Sequence, residues 1–130
     1  MKKIKRVYVA GLITPRGIWS ANPAIDYLTN VRNMIRVGIE VFKAGFVPFI
    51  PALDFGVFLL LRETEHITEP MIKRYSKDWL EVCEAVLLTK KWQKSMGTLA
   101  EIKMAEKVGI PVFKSIKDLK EYDTLSTTSV

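Results

Sequence analysis

Apolar positions along this chain follow two periods, and the two alternate. From Lys5 to Ile13, KRVYVAGLI is β-branched, apolar and short, and Gly11 punctuates it, so it predicts a buried strand. A polar loop, TPRGIWSANP, comes next. From Asn22 or Pro23 to Ala44, Ile25, Leu28, Val31, Ile35, Ile39 and Phe42 recur at three or four positions and Gly45 ends the run. That spacing predicts an amphipathic helix with proline in its first turn and glycine past its end. FVPFIP predicts a second short strand, its prolines placing it near an edge or a strand end.

ALDFGVFLLLRETEHI suits a buried helix, a lid or a subunit contact, and its pattern does not choose among them. TEPMIKRYSKDWLEVCE predicts a helix opened by Thr68, Glu69 and Pro70. AVLLT reads as a third strand, GTLAEIKMAEKV as a helix ended by Gly109, IPVFK as a fourth strand and SIKDLKEY as a short helix or turn. The polar DTLSTTSV predicts a frayed end, leaving one domain over residues 1–122 and a flexible tail over 123–130. Regular alternation of strand and helix predicts an α/β fold, a three-layer, Rossmann/flavodoxin-like parallel sheet of four or five strands with helices on both faces. Ligands of such sheets bind beyond the carboxyl ends of the strands. That rule selects the loop after Gly11, the one after residues 48–51, and TKKWQKSMG.

The composition changes this picture little. At 130 residues, 48% hydrophobic and 26% charged, the chain is an ordinary globular domain able to bury a core without disulfide or metal. Its single cysteine, Cys83, lies in the apolar WLEVCEAVLL, which predicts a buried thiol and a cytoplasmic, reducing setting. MKKIKRVYVAGLI leads into a Pro/Gly turn with no small-residue cleavage site, so it reads as a strand and not as a signal peptide. No run approaches the roughly 20 apolar residues that cross a bilayer, so no membrane partner is expected. The net charge of +6 is scattered along the length, and no zinc, helix-turn-helix or aromatic-rich RNA signature accompanies it. A basic rim that attracts a small anion is the better use of those residues, with nucleic acid kept as the alternative. With His66 the only histidine and no thiol cluster, neither a metal site nor a cofactor is expected.

The candidate chemistry lies in SMGTLAE, where Glu101 follows Ser95 and Gly97 at the start of a helix. One reading makes Glu101 a first-turn acid that meets the helix dipole and pairs with Ser95 or Thr98 in a cap. The other makes it a ligand group, since Gly97 lets a ligand approach the backbone and frees amides for an anion. Asp78, about two turns before the third strand, lies where it can come near the same mouth.

YVAG on the first strand, Asp78 seventeen residues ahead of Ser-x-Gly-x-x-x-Glu, and GIPVF after the helix together resemble the nucleoside 2-deoxyribosyltransferase superfamily. That group includes the deoxynucleoside 5'-monophosphate N-glycosidases. The resemblance covers the first strand and roughly residues 78–113. It implies that Glu101 is the nucleophile, that Asp78 contacts the departing base and helps its protonation, and that Tyr8 positions Glu101. The implied reaction is cleavage of the N-glycosidic bond of a deoxynucleoside or its 5'-monophosphate, with water or another base as acceptor. The residue types suit it: a carboxylate stabilises or bonds to the developing oxocarbenium carbon, and a second acid makes the base a better leaving group.

Free-nucleoside transferases of the superfamily resemble Asp-x-Gly-x-x-x-Glu at this loop, whereas the monophosphate hydrolases resemble the Ser-x-Gly-x-x-x-Glu found here. A serine donates to a phosphate that an aspartate would repel. Arg16, Gly17, Lys90, Lys91 and Lys94 are further phosphate candidates, with Gly11 and Gly97 giving backbone access. Trp92 either stacks on a base or caps its loop, and Trp19 is comparable. Leu99 stands where the hydrolases carry a second glycine. The apolar LDFGVFLLL and the oligomeric habit of the superfamily predict a homo-oligomer. A non-catalytic nucleotide or nucleotide-sugar binding protein of the same fold is the alternative function.

Overall fold

The computed structural model describes residues 3–13 and 22–128. The chain runs β1 (Arg6–Ala10), α1 (Pro23–Lys43), β2 (Val47–Phe49), a 3-10 helix (Pro51–Leu60), α2 (Glu69–Glu81), β3 (Ala85–Leu88), a 3-10 turn (Trp92–Lys94), α3 (Met96–Lys107), β4 (Val112–Phe113) and α4 (Ile116–Thr128). The four strands are all parallel and lie in the order β2-β1-β3-β4.

Period-two alternation along the two central strands builds the three layers. Val7, Val9, Ala85 and Leu87 pack on one face with Met34 and Val41 of α1 and Leu119 of α4. Tyr8, Ala10, Val86 and Leu88 pack on the other with Leu80 of α2 and Ala105 of α3. Both central strands are therefore buried on both sides, which is why they read as continuous apolar runs.

Local signals set the helix ends. Asn22 Oδ1 accepts from the Ile25 amide at 3.2 Å, Pro23 takes the first helical position, and Gly45 turns the chain out at φ 91°. Thr68 caps α2 in the same way, with Pro70 behind it. At β2, Val47 donates its amide to Lys5 O at 2.9 Å, and Pro48 sits opposite Val7.

Two segments resolve differently from the sequence expectation. The undecided stretch forms the 3-10 helix, in which Pro51 and Ala52 are buried while Leu59 and Leu60 are 87% and 84% exposed. The expected frayed tail is instead the second half of α4 as far as Thr128. Asp123 accepts from the Ile4 amide at 3.2 Å, and the buried Ser126 hydroxyl donates to Asp123 O at 2.9 Å. The polar side chains there close the helix onto the start of β1, and Tyr122 packs edge-on against Phe113. Nearby, the buried Glu84 carboxylate accepts from the amides of Lys5 and Arg6 and from the Arg6 guanidinium. Burial pushes its pKa up, but the Arg6 bonds outweigh burial and hold it below the usual carboxylate value. Among the described residues no helix is long and apolar enough to cross a membrane.

Candidate functional site

From β1 the chain turns to α1 on one face of the sheet, and from β3 it turns to α3 on the other. A crevice opens between such diverging connections, at the carboxyl ends of the two neighbouring strands. Here it holds a cavity of about 400 Å³, within the range of small-molecule sites. Tyr8 and Gly11 line it from β1 and the residue following, Ser76 from α2, and Ser95, Gly97 and Glu101 from the start of α3. Met34, Pro51, Phe55 and Ile72 supply apolar wall.

Ser95 Oγ accepts from the Thr98 amide at 3.1 Å and so fixes where α3 begins. The helix starts at Met96, which makes Glu101 its sixth residue, on the second turn. This corrects the expectation of a first-turn acid: Ser95 does the capping with Thr98, and Glu101 is turned inward. The Glu101 carboxyl is largely buried, the Tyr8 hydroxyl donates to it, and its Oε2 has no partner among the described residues. Ser76 of α2 lines the same cavity and interacts with the Tyr8 hydroxyl, pulling against the rise in its pKa. Burial lifts the Glu101 carboxyl to a pKa of about 7, with the Tyr8 hydrogen bond pulling against the rise. Burial and the neighbouring Glu101 charge drive the Tyr8 phenol far above its ordinary value, so it stays protonated and remains a donor. Thr98 Oγ1, one turn before Glu101, is likewise buried without a partner among the described residues.

Glu101, Tyr8, Gly11, Ser95 and Gly97 thus come together at one cavity. Asp78 does not join them. It is exposed and lines a neighbouring cavity of about 580 Å³ with Asp54, Phe58, Arg74 and Trp79. Helical phase explains the difference: Ile72 and Ser76, four apart, face the Glu101 cavity, and two further residues carry Asp78 to another face. The two cavities share Phe55, Ile72 and Tyr75 as a common wall, with the Tyr75 hydroxyl donating to Asp54.

Trp92 packs half-buried against the α2/α3 core, with Lys114 Nζ 5.6 Å from its ring centre, and lines neither cavity. Gly11 is dictated by the protein itself, because a Cβ there would lie 1.8 Å from Thr89 Oγ1. At Gly97 a Cβ would meet only Ser95 Oγ, at 3.8 Å, so the open space beside it belongs to the cavity. Lys90 and Lys91 line a third hollow on the α1 side, and Lys94 is exposed. Arg16, Gly17 and Trp19 lie outside the described residues. His66 is exposed and lines neither cavity, and no group of three metal-ligating side chains occurs among the described residues. Cys83 is buried, its thiol pushed up to about 11 by burial and then by the Glu84 charge. Ser76 was not foreseen. Its signal was a serine four positions after Ile72, on the inward face of an amphipathic helix.

An open parallel sheet with a buried carboxyl and its phenol partner beside a cavity at the switch point defines the chain as an α/β domain of the Rossmann/flavodoxin-like kind. Residues 5–114 match the family described as Domain of unknown function (DUF4406), and the chain belongs to that family. No curated protein matches it.

Proposed function

We propose that the chain cleaves the N-glycosidic bond of a deoxynucleoside or deoxynucleoside 5'-monophosphate, the reaction implied by its resemblance to the nucleoside 2-deoxyribosyltransferase superfamily. The observation that carries this reading is the Glu101 carboxyl, held by Tyr8 with Oε2 unpartnered at the wall of the switch-point cavity. In its ionised form Oε2 attacks the anomeric carbon as the bond to the base nitrogen breaks, and water or another base then displaces the sugar from Glu101. Tyr8 and Ser76 keep the carboxylate oriented. A base extending over the shared wall of Phe55 and Tyr75 reaches the neighbouring cavity, where Asp78 can meet it and assist its protonation. Ser95 and the amides beside Gly97 suit a 5'-phosphate at the start of α3. Cytoplasmic residence and assembly of copies belong to the same reading, supported by the reduced buried thiol and the exposed leucines of the 3-10 helix.

The neutral form of a carboxyl with a pKa of about 7 favours a second reading, in which Glu101 donates a hydrogen bond to a nucleotide or nucleotide sugar that is held without turnover. Incubation with paired deoxynucleosides and 5'-monophosphates, followed by chromatography for free base, separates the two. The enzyme reading expects release by the native protein, rising with pH through about 7, and loss of release by orders of magnitude in Glu101→Ala. Undiminished release by Glu101→Ala sinks it. Absence of release from the native protein, with ligand affinity kept in Glu101→Gln, leaves the binding reading. Ser95→Asp should reverse or abolish any preference for the monophosphate, and an unchanged ratio removes Ser95 from phosphate binding.

A further inference from the structure

On the α1 side of the crevice lies a hollow of about 330 Å³, divided from the Glu101 cavity by Leu12, which lines both. Its polar lining is Asn30, Asn33 and Arg36 from α1 and Thr89, Lys90 and Lys91 from the end of β3, with no carboxylate among them. Every one of those six side chains carries a hydrogen-bond donor, and three are cations. Arg36 is steadied by Glu40 at 2.6 Å, one turn along α1. Lys90 and Lys91 have no ion-pair partner among the described residues, since the five ion pairs found there lie elsewhere. The floor is set rigidly: Asn30 is 8% exposed and donates Nδ2 to Ile13 O at 3.1 Å, and the Thr89 amide donates to Ala10 O at 2.9 Å. With Glu40 engaged by Arg36, the adjacent Lys90 and Lys91 beside this concave floor of donors leave a net positive rim that attracts an anion.

We propose that this hollow is an oxyanion site for the phosphate class, separate from the Glu101 cavity. The ligand is either free phosphate or pyrophosphate, or the phosphoryl group of a larger molecule whose body lies outside the hollow. The sequence expectation gives Lys90 and Lys91 to the 5'-phosphate of a nucleotide bound at Glu101; the proposal instead gives them an anion of their own on the α1 side of Leu12, and in the glycosidase reading the phosphate is left to Ser95 and the amides beside Gly97.

Calorimetric titration of the full chain at low salt with inorganic phosphate, pyrophosphate and a simple sugar phosphate tests it. Binding should weaken by about tenfold or more in Lys90→Ala/Lys91→Ala, a loss typical of charge-assisted hydrogen bonds. Both lysines are exposed, so the pair should fold normally. Lys103→Ala/Lys107→Ala removes the same charge from exposed positions of α3 and should change binding by no more than about twofold. Tighter binding of the sugar phosphate than of free phosphate points to a phosphoryl group, and the reverse to the free anion; either supports the site. Equal weakening in both lysine pairs reduces the effect to net charge and overturns the proposal. So does absence of binding by all three probes, or loss of binding in Ser95→Asp with Lys90→Ala/Lys91→Ala unaffected, which places the anion in the Glu101 cavity.

Discussion

Replacing Glu101 with glutamine should stabilise the protein, and the gain should depend on pH. Burial raises the Glu101 carboxyl from 4.5 to about 7, so between those values the native state keeps a proton that the unfolded chain releases. Stability contributed by this group is therefore full below pH 4.5, falls as pH rises, and levels off above about 7. A rise of about 2.5 units at about 1.36 kcal/mol each makes the full loss about 3 kcal/mol. Glutamine fills the same volume and still accepts from Tyr8, but it does not titrate. Urea unfolding of both proteins, compared at matched pH, cancels every other titrating group. The difference should start near zero at about pH 4 and grow to about 3 kcal/mol in favour of Glu101→Gln by about pH 8, or roughly 10 °C in midpoint. An exposed capping acid would give the opposite sign, because its ionised form stabilises the helix. A pH-independent difference refutes the burial argument, and with it the claim that the site holds its carboxyl at a cost to the fold.

Tyr8→Phe keeps the packing but removes the hydrogen bond that restrains Glu101, so the carboxyl midpoint seen by carbon NMR titration should move upward from about 7, by up to about one unit. An unmoved midpoint takes Tyr8 out of that role. Gly11→Ala should cost about 1 to 3 kcal/mol in denaturant unfolding because its Cβ would meet Thr89 Oγ1 at 1.8 Å, and Gly11→Ala/Thr89→Ala should recover part of it. Full-strength folding of Gly11→Ala alone contradicts the close approach. Glu84→Gln should lose about 1 to 3 kcal/mol at neutral pH by weakening charge-assisted bonds to Lys5 and Arg6. Because the Glu84 pKa is lowered on folding, its contribution exists above the ordinary carboxylate value and fades in acid, so the variant's stability curve should be flatter below about pH 4.5.

What could be read from the sequence was what is decided locally. Asn22, Pro23 and Gly45 bracket α1, and Thr68 with Pro70 opens α2, because caps and turns act within a few residues. The layer order followed from β1 and β3, whose doubly buried faces leave unbroken apolar runs. Contacts between distant residues were invisible. α4 looked too polar to persist, yet its later turns are held by Asp123 meeting Ile4, 119 positions away. Rotational phase was the other loss. A two-residue difference on α2 puts Ser76 in the cavity and Asp78 outside it, and a start at Met96 moves Glu101 from the rim of α3 to its interior. The 3-10 helix escaped because it holds most of its apolar side chains outward, against the rule by which apolar runs are read.

Pro48 leaves the sheet without a template for further strands at its β2 edge. Val47 spends its amide on Lys5 O, so by alternation the next nitrogen faces away from the sheet, and that nitrogen is the imide of proline, which has no hydrogen to offer. A foreign strand laid along β2 would find its ladder interrupted at the first rung. The opposite edge, β4, is only two residues long before the chain leaves for α4. Continuous strand-to-strand growth between molecules is thereby disfavoured at both margins.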